Sequence, residues 1–589
     1  MKRSHNCGEL RDGDIGNVIV LNGWVQNRRD HGGLIFIDLR DKYGLTQIVF
    51  DPKSNEDSHK LAEGLRREDV IFVEGKVRAR GEGLENPKLD TGKIEVEITK
   101  SGMIGKAKTP PLEVDDRIVA SDEMRLKYRY LDLRRPIMQE NLQVRHNVIM
   151  AARNYFNDNK FIEIETPLMV KSTPEGARDY VVPSRVNPGD FYALPQSPQL
   201  YKQILMIAGT DRYYQVARCL RDEDLRADRQ PEHTQFDFEM SFVSSDDIMG
   251  FVEGLYTHLF KEVLDVKLET PFERLTYEDA MDKYGVDKPD LRYELFLTDV
   301  SDVVKGCDFQ VFNTIIDKGG IVKCINPPKD FGRKEIDSLI DFSQKAGAKG
   351  MAWMRVTDKG LESNIAKFFS DEIKQKLIEK IGAKPGSVVM FIADKVKTTN
   401  SVLNQLRQEI AKRMDLIDNK VFKFCWTTDF PLFAWEEETE SWTPEHHMFS
   451  MPKEECLKDL DNDPGKVKGD LFDLVLNGVE LGSGSIRIHD PEIQKKVMKI
   501  IGLDEKDAEA KFGFLLEAYK YGAPVHGGMG LGVDRSVALM RGLHDIREVI
   551  AFPKNKGAQC PMDDSPGSID DVQLKELHLK LDIVKKDKQ

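Results

Sequence analysis

The sequence predicts a multidomain α/β protein: a small N-terminal β-barrel, then a mixed α/β domain split by an insert. Three observations carry this expectation. Residues 1–100 fall into short apolar-rich strands divided by turn residues. Residues 140–290 and 421–565 mix strands with helices and hold every charged or glycine-rich motif discussed below. Between them, 291–420 has helical segments near Lys334–Ala346 and Asn400–Met414 and none of those motifs. A chain of 589 residues also exceeds a single core.

The N-terminal strands are Val18–Val25, Leu34–Leu39, Thr46–Phe50, Val70–Val77 and Ile94–Ile98. Asp30-His31-Gly32-Gly33 and Lys42-Tyr43-Gly44 are turns between them. Five short strands in 1–108 suggest a closed barrel of the OB type, with a β-sandwich as the alternative. Residues 109–139, with Pro110-Pro111, read as a linker. A helix is expected from Gln139 to Asn157, then an alternating strand, Phe161–Pro167, closed by proline. At the C-terminal extension, 566–589, Val572–Lys585 is amphipathic and reads as a helix packed on the body or as a basic tail.

Composition excludes several classes. No apolar run is long enough to span a bilayer, and the start leads into no apolar stretch that would make a signal peptide. The seven cysteines form no Cys-x-x-Cys pair, which argues against a zinc knuckle and a disulfide framework, so a reducing cytoplasm is expected. The net charge of -14 argues against general polyanion binding. Residues 1–110, however, hold 19 Lys+Arg against 18 Asp+Glu, so a nucleic-acid surface would have to be a local patch.

Three constellations carry chemistry. A strand at Tyr213–Ala217 leads into the charged run Arg218–Gln230, and His233–Met240 follows. Alternation there puts Phe236, Phe238 and Met240 on one face, and Gln235, Asp237 and Glu239 on the other. Two strands joined by this loop would present arginine and carboxylates together, and arginine suits phosphate. The alternative is a solvated charge run on a hairpin.

The second constellation, Leu471–Arg487, contains Asn477-Gly478 between apolar flanks, a hairpin signal. Its register pairs Leu476 with Val479 and Val475 with Glu480, which makes Asp473 and Glu480 diagonal neighbours. Two such carboxylates repel unless a cation lies between them, and Mg²⁺ carrying ATP phosphates is the candidate, simple exposure of one or both the alternative. The third, Gly527–Leu539, is a glycine-rich strand entering a helix with an arginine in its first turn, able to reach a terminal phosphate. It is neither a Walker loop nor a dinucleotide fingerprint.

The segment ending at Pro167, the Arg221–Glu223 loop and the Gly532–Arg535 turn resemble, in order, the three signature motifs of class II aminoacyl-tRNA synthetases. With the preceding barrel, the chain resembles the subgroup charging aspartate, asparagine or lysine, and 291–420 looks like the GAD domain of bacterial aspartyl members. The likeness covers nearly the whole chain. It implies a class II catalytic domain built on an antiparallel sheet flanked by helices, and a homodimer.

The resemblance also implies roles. Lys202 and Arg487 would clamp an aspartate side chain, with Asp237 holding Lys202, whereas a lysine pocket would need acids and an asparagine pocket no extra cation. Ser197, Gln199, Arg221, His446 and His447 complete the aspartate site, and Glu175, in the loop Ser172–Tyr180, would meet the α-ammonium. Arg221 and Arg535 are the catalytic pair. ATP would meet Arg221, Asp222, Glu223, Gln230, Glu480, Gly532, Val533, Asp534 and Arg535, with Mg²⁺ on Asp473 and Glu480.

In the barrel, Arg29, Phe36, Gln47 and Glu95 would read the anticodon, with a core position as the alternative for Phe36. His31 and Gly83 resemble the relaxed branch of the family, which charges both tRNA-Asp and tRNA-Asn and depends on an amidotransferase to convert the mischarged product. The expectation is therefore an ATP-dependent ligase joining aspartate to both tRNAs. The alternatives are strict tRNA-Asp specificity, asparaginyl specificity, and a catalytically inactive RNA-binding relative.

Overall fold

The N-terminal strands close on themselves because each puts alternate apolar residues inward. The computed structural model describes residues 2–117, 120–173 and 178–583 and divides into two units. The first unit is Met1–Val144 with Arg547–Ser568. Its barrel runs β1 (Val18–His31), β2 (Leu34–Asp41), β3 (Gly44–Phe50), β4 (Val70–Ala79) and β5 (Ile94–Gly105), in the order β1-β2-β3-β5-β4. This is the expected OB barrel. Ile35, Ile37 and Leu39 of β2 fill the interior with Ile19, Leu21, Ile48, Val73 and Val96. The strands are longer than the apolar pattern predicts, because polar stretches such as Gln26–His31 continue the pairing outside the core.

The same unit holds a buried charge knot. Asp132, fully buried, accepts from Arg125 Nε at 3.0 Å, Arg129 Nη1 at 2.7 Å and Arg135 Nη1 at 2.9 Å. Arg125 also holds Glu548 at 2.7 Å, and Arg129 donates to the carbonyls of Arg547, Ile550 and Ala551. Residues 547–565, which the sequence reading grouped with the second catalytic segment, therefore pack in the first unit.

In the second unit an eight-stranded sheet has the order Glu273–Thr276, Phe424–Thr428, Leu471–Leu476, Val479–Ile486, His526–Gly532, Glu232–Ser241, Arg212–Leu220, Ile162–Glu163. Its inner pairs are antiparallel, and the outermost pair at each edge is parallel. The predicted strand Phe161–Pro167 pairs only at Ile162–Glu163, since beyond Ile164 the chain is held by a side chain, Gln215, which accepts from Thr166. One sheet face carries Phe236 and Phe238, buried against Phe156 and Phe251. The opposite face carries the polar residues described below.

Residues 297–394 form a separate antiparallel sheet of five strands, ordered Leu297–Asp299, Ile321–Ile325, Val388–Asp394, Ala352–Thr357, Gly360–Glu362. It has its own apolar clusters and is flanked by the helices Arg333–Lys345 and Val396–Arg413. At the C-terminus the expected packed helix is reduced to Asp571–Glu576, which buries nothing, and Val572, Leu581 and Ile583 are exposed. It ends early because His578 adopts a left-handed conformation. Residues 584–589 lie outside the described residues. Among the described residues no helix is long and apolar enough to cross a membrane.

Replacing Asp132 by alanine strands three clustered guanidinium groups. The expected loss is about 3–5 kcal/mol of stability in the first unit, read as a lower urea midpoint against wild type.

Candidate functional site

The polar face of the large sheet floors a cavity of about 860 Å³. Ser197, Gln199, Lys202, Arg221, Asp222, Glu223, Gln230, Asp237, His446, His447, Glu480, Arg487, Gly532, Asp534 and Arg535 all line it. Residues from positions 178 to 546 are thus gathered around one space. Val533 is fully buried and does not line it, and Glu175 lies outside the described residues.

The floor is a buried charge quartet. Lys202, in the helix Gln199–Ile207, reaches Asp237 at 2.9 Å and Glu239 at 3.5 Å. Arg487, just past the strand Val479–Ile486, donates through Nε to Glu239 at 2.8 Å and through Nη2 at 3.2 Å. All four side chains are at most 3 % exposed. The remaining Arg487 donors go to His447 Nε2 at 2.8 Å, Ser485 Oγ at 2.6 Å and the Gly528 carbonyl at 3.0 Å. Every N–H of this guanidinium is engaged. An incoming anion can take over an Arg487 N–H that now meets a neutral group: Ser485, or His447 in the tautomer that leaves Nε2 without a proton.

Glycines in the strand His526–Gly532 make this geometry possible. A Cβ at Gly528 would lie 2.0 Å from the Phe238 carbonyl and 2.3 Å from Glu239 Oε2. Glycine here permits close backbone approach, and at Gly528 the group approached is the protein's own buried carboxylate. Glu239 is the chief residue that the sequence reading did not select. Alternation placed it on the face of Asp237, but only its partner 248 positions away, Arg487, shows what it does.

Three polar atoms facing this region are buried without a hydrogen-bond partner among the described residues: Gln199 Nε2, Arg221 Nε and Asp237 Oδ1. Buried polar groups ordinarily have partners, so these mark a place for a polar ligand. Burial also pushes the Asp237 carboxyl up, against the pull of Lys202, whereas Arg487 and Lys202 outweigh burial and hold Glu239 below the usual carboxylate range.

The hairpin pairs Leu476 with Val479 and Val475 with Glu480, as expected. A bulge then leaves Leu481 unpaired, so that Asp473 faces Ser483. The bulge resets the alternation and puts Glu480 on the same face as Ser483, Ser485 and Arg487. Burial and the nearby Glu480 charge push Asp473 well above its usual range. Lys288 and Arg535 overcome burial and hold Glu480 below its own. Asp473 Oδ1 is buried without a hydrogen-bond partner among the described residues, and His446 Nε2 lies 3.8 Å from Oδ2. Two adjacent carboxylates with a spare oxygen fit a hard divalent cation. Among the described residues no group of three His, Cys, Asp or Glu that could hold a metal ion is assembled.

Beside Glu480, Arg535 sits in the first turn of the helix Val533–Met540, tied to the Glu480 carbonyl at 2.9 Å and to Asp228 at 3.3 Å. Asp534 is occupied otherwise: Arg145 holds Oδ1 at 2.5 Å and the Thr234 amide holds Oδ2 at 2.9 Å. It fastens the helix start rather than offering a carboxylate to a ligand. Glu223 is held by Arg229 at 3.1 Å, and Arg178 pairs by backbone with Asp222.

In the barrel, Arg29 holds Asp38 at 2.8 Å and Gln47 at 3.1 Å; Gln47 donates to Glu95 at 2.8 Å; and Arg78 holds Glu95 at 2.9 Å. Phe36 pairs with Arg29 across the strands and is half-buried outside the core, so the core alternative fails. His31 packs edge-on against it, with ring centroids 6.1 Å apart. Gly83 has a φ of +77°, and a Cβ there would meet open space.

Burial and the charges of Arg221, Arg535 and Arg218 drive the His233 imidazole down to about 3 from 6.5. Folded and unfolded chains are both neutral there above about pH 6.5, so His233 costs nothing in that range. As pH falls toward 3 the unfolded chain takes up a proton the folded one refuses, and stability drops. ¹⁵N NMR should show a neutral His233 ring at pH 5; a midpoint near 6.5 would contradict this environment.

Residues 121–556 match the family described as tRNA synthetases class II (D, K and N), and 19–100 match the OB-fold nucleic acid binding domain. The aspartate–tRNA(Asp/Asn) ligase of Desulfatibacillum aliphaticivorans is 52% identical, over 99% of this chain and 98% of its own. The aspartate–tRNA ligase of Bacillus licheniformis is 49% identical, over 98% of each. Among solved structures, asparaginyl-tRNA synthetase of Pyrococcus horikoshii with asparaginyl-adenylate shares the fold with a TM-score of 0.60 at 21% identity, covering 94% of this chain and 98% of that one. With the Arg221–Glu223 loop and the Gly532–Arg535 turn gathered on one cavity and a family match spanning most of its length, the chain belongs to the class II aminoacyl-tRNA synthetases of the D, K and N group.

Proposed function

We propose that the chain is an aspartate–tRNA ligase that charges both tRNA-Asp and tRNA-Asn. The convergence of Lys202 and Arg487 on one buried floor supports the amino-acid choice, because an unpaired carboxylate is costly to bury and two cations lie where it would enter. Ser197, Gln199, His446 and His447 surround that position, and Glu175 is assigned to the α-ammonium by resemblance alone.

On this reading aspartate attacks the α-phosphate of ATP and pyrophosphate leaves; the terminal adenosine hydroxyl of tRNA then attacks the aspartyl carbonyl of the adenylate, and AMP leaves. The attacking carboxylate is already ionised, so no protein nucleophile is needed. Catalysis is positioning plus charge stabilisation. Arg221, with its unpartnered Nε, neutralises the α-phosphate, and Arg535 meets the γ-phosphate. Glu223 and Gln230 contact the adenine end, while Gly532, Val533 and Asp534 shape the backbone that carries Arg535. Asp473 and Glu480 would hold Mg²⁺, which when bound offsets charge on the phosphates.

In the barrel, Phe36 stacks on an anticodon base, while Arg29, Gln47 and Glu95 present hydrogen-bonding groups already ordered by one another. His31 and Gly83 carry the dual-specificity reading, since curated relatives of nearly equal identity bear both kinds of name. The reading further includes a cytoplasmic homodimer whose mischarged tRNA-Asn is consumed by an amidotransferase.

Arg221→Ala should abolish ATP–pyrophosphate exchange while leaving tRNA binding mostly intact; exchange at wild-type rates would refute the assignment, and none in the wild type would favour the inactive relative. Phe36→Ala should weaken tRNA binding by about 1–3 kcal/mol without altering exchange. Purified tRNA-Asn transcript should accept radiolabelled aspartate, and failure to do so leaves the strict tRNA-Asp enzyme.

A further inference from the structure

The segment between the helix Tyr277–Tyr284 and the strand Leu297–Asp299 enters the inserted sheet, yet it also touches the carboxylate pair. Lys288 Nζ lies 3.6 Å from Glu480 Oε2. The segment is not a loose loop. Thr427 Oγ1 donates to the Asp287 carbonyl at 2.6 Å. Arg407, buried in the insert's last helix, donates to the carbonyls of Asp290, Tyr293 and Leu295 at 2.8–3.0 Å, its guanidinium 4.9 Å from the Tyr284 ring centre and 4.1 Å from that of Tyr293. At the segment's start, Gly285 has a φ of +72°, and a Cβ there would come within 2.5 Å of the Asn400 carbonyl. The insert therefore fixes the backbone that delivers Lys288.

The two cations near Glu480 differ in freedom. Arg535 lies 4.0 Å from the carboxylate and is fastened through the Glu480 carbonyl and Asp228. Lys288 is 41% exposed on a flexible four-carbon stem, so its ammonium can leave for solvent while its backbone stays fixed. An ordinary exposed ion pair would contribute little. This one meets a carboxylate beside a second, buried one, Asp473, where repulsion needs a counter-charge.

We propose that Lys288 is a built-in, displaceable counter-ion of Glu480, delivered by the insert, which occupies the place of a divalent cation until that cation arrives. This rests on the reading of Asp473 and Glu480 as the cation pair. The insert then takes part in the chemistry of the site by setting how readily the pair accepts a metal.

The test is Mn²⁺ binding to the full chain without nucleotide, followed by electron paramagnetic resonance of free Mn²⁺. Lys288→Met should bind Mn²⁺ about tenfold more tightly than wild type, because a competing unit charge is gone. Lys288→Arg, which keeps the charge, should stay within about twofold of wild type. The gain should vanish in Lys288→Met combined with Glu480→Gln. Equal or weaker binding by Lys288→Met, with binding still dependent on Glu480, overturns the counter-ion role alone. Mn²⁺ binding indifferent to Glu480→Gln in both backgrounds overturns the metal reading and this inference with it. Melting curves of the variants matching wild type exclude misfolding as the cause.

Discussion

Everything at the catalytic face hangs on the buried quartet of Lys202, Asp237, Glu239 and Arg487. Its members come from one helix, one strand that carries both acids, and the end of another strand, which are distant in sequence. Taking four charges out of water is costly, and the cost is offset only if each finds its partners in good geometry. Here Glu239 serves both cations, and Gly528 leaves the room that it needs. Removing any member leaves an uncompensated charge in the interior, so the helix Gln199–Ile207 and the sheet must close on one another in a single register. The site is rigid for the same reason that it is costly.

On the proposed reading, that rigidity gives the cavity its selectivity. Arg487 already spends its donors on neutral His447 and Ser485 as well as on Glu239. His447 is held neutral by burial and by the Arg487 charge. Replacing a neutral acceptor by an anionic one strengthens the bond, whereas replacing it by a carboxamide exchanges like for like. On the proposed reading, an aspartate side chain thus gains at Arg487 what an asparagine side chain does not. The unpartnered Gln199 and Asp237 atoms add polar contacts without adding cations.

Local patterning was enough for much of this. Alternation separated Phe236 and Phe238 from Asp237 and Glu239, and Asn477-Gly478 announced the hairpin and its first two pairs. It could not show the bulge at Leu481, since an extra residue leaves the apolar pattern of a glycine-rich strand unchanged. It overextended the strand at Phe161–Pro167, where the Gln215 side chain replaces strand pairing at Thr166, and the helix at Val572–Lys585, whose Val572, Leu581 and Ile583 are exposed. The role of Glu239 and the delivery of Lys288 were illegible for a different reason: each depends on a partner nearly two hundred residues or more away, which only the closed sheet brings near.

The barrel poses the complementary problem of reading a flexible RNA with a fixed surface. Arg29, Asp38, Gln47, Glu95 and Arg78 bind one another in a continuous chain, so none is free to turn independently toward a new base. Tolerance of a different anticodon base must then come from elsewhere. His31 ends its strand at an exposed Gly32-Gly33 turn beside Phe36, and Gly83 lies in a loop where an added Cβ meets nothing. A larger residue at 83 would not fill a gap; it would strain a left-handed backbone and reshape the loop. On the dual-specificity reading, breadth resides in loop conformation around a fixed hydrogen-bonding core, which is how one or two small residues can widen the choice without loosening the rest.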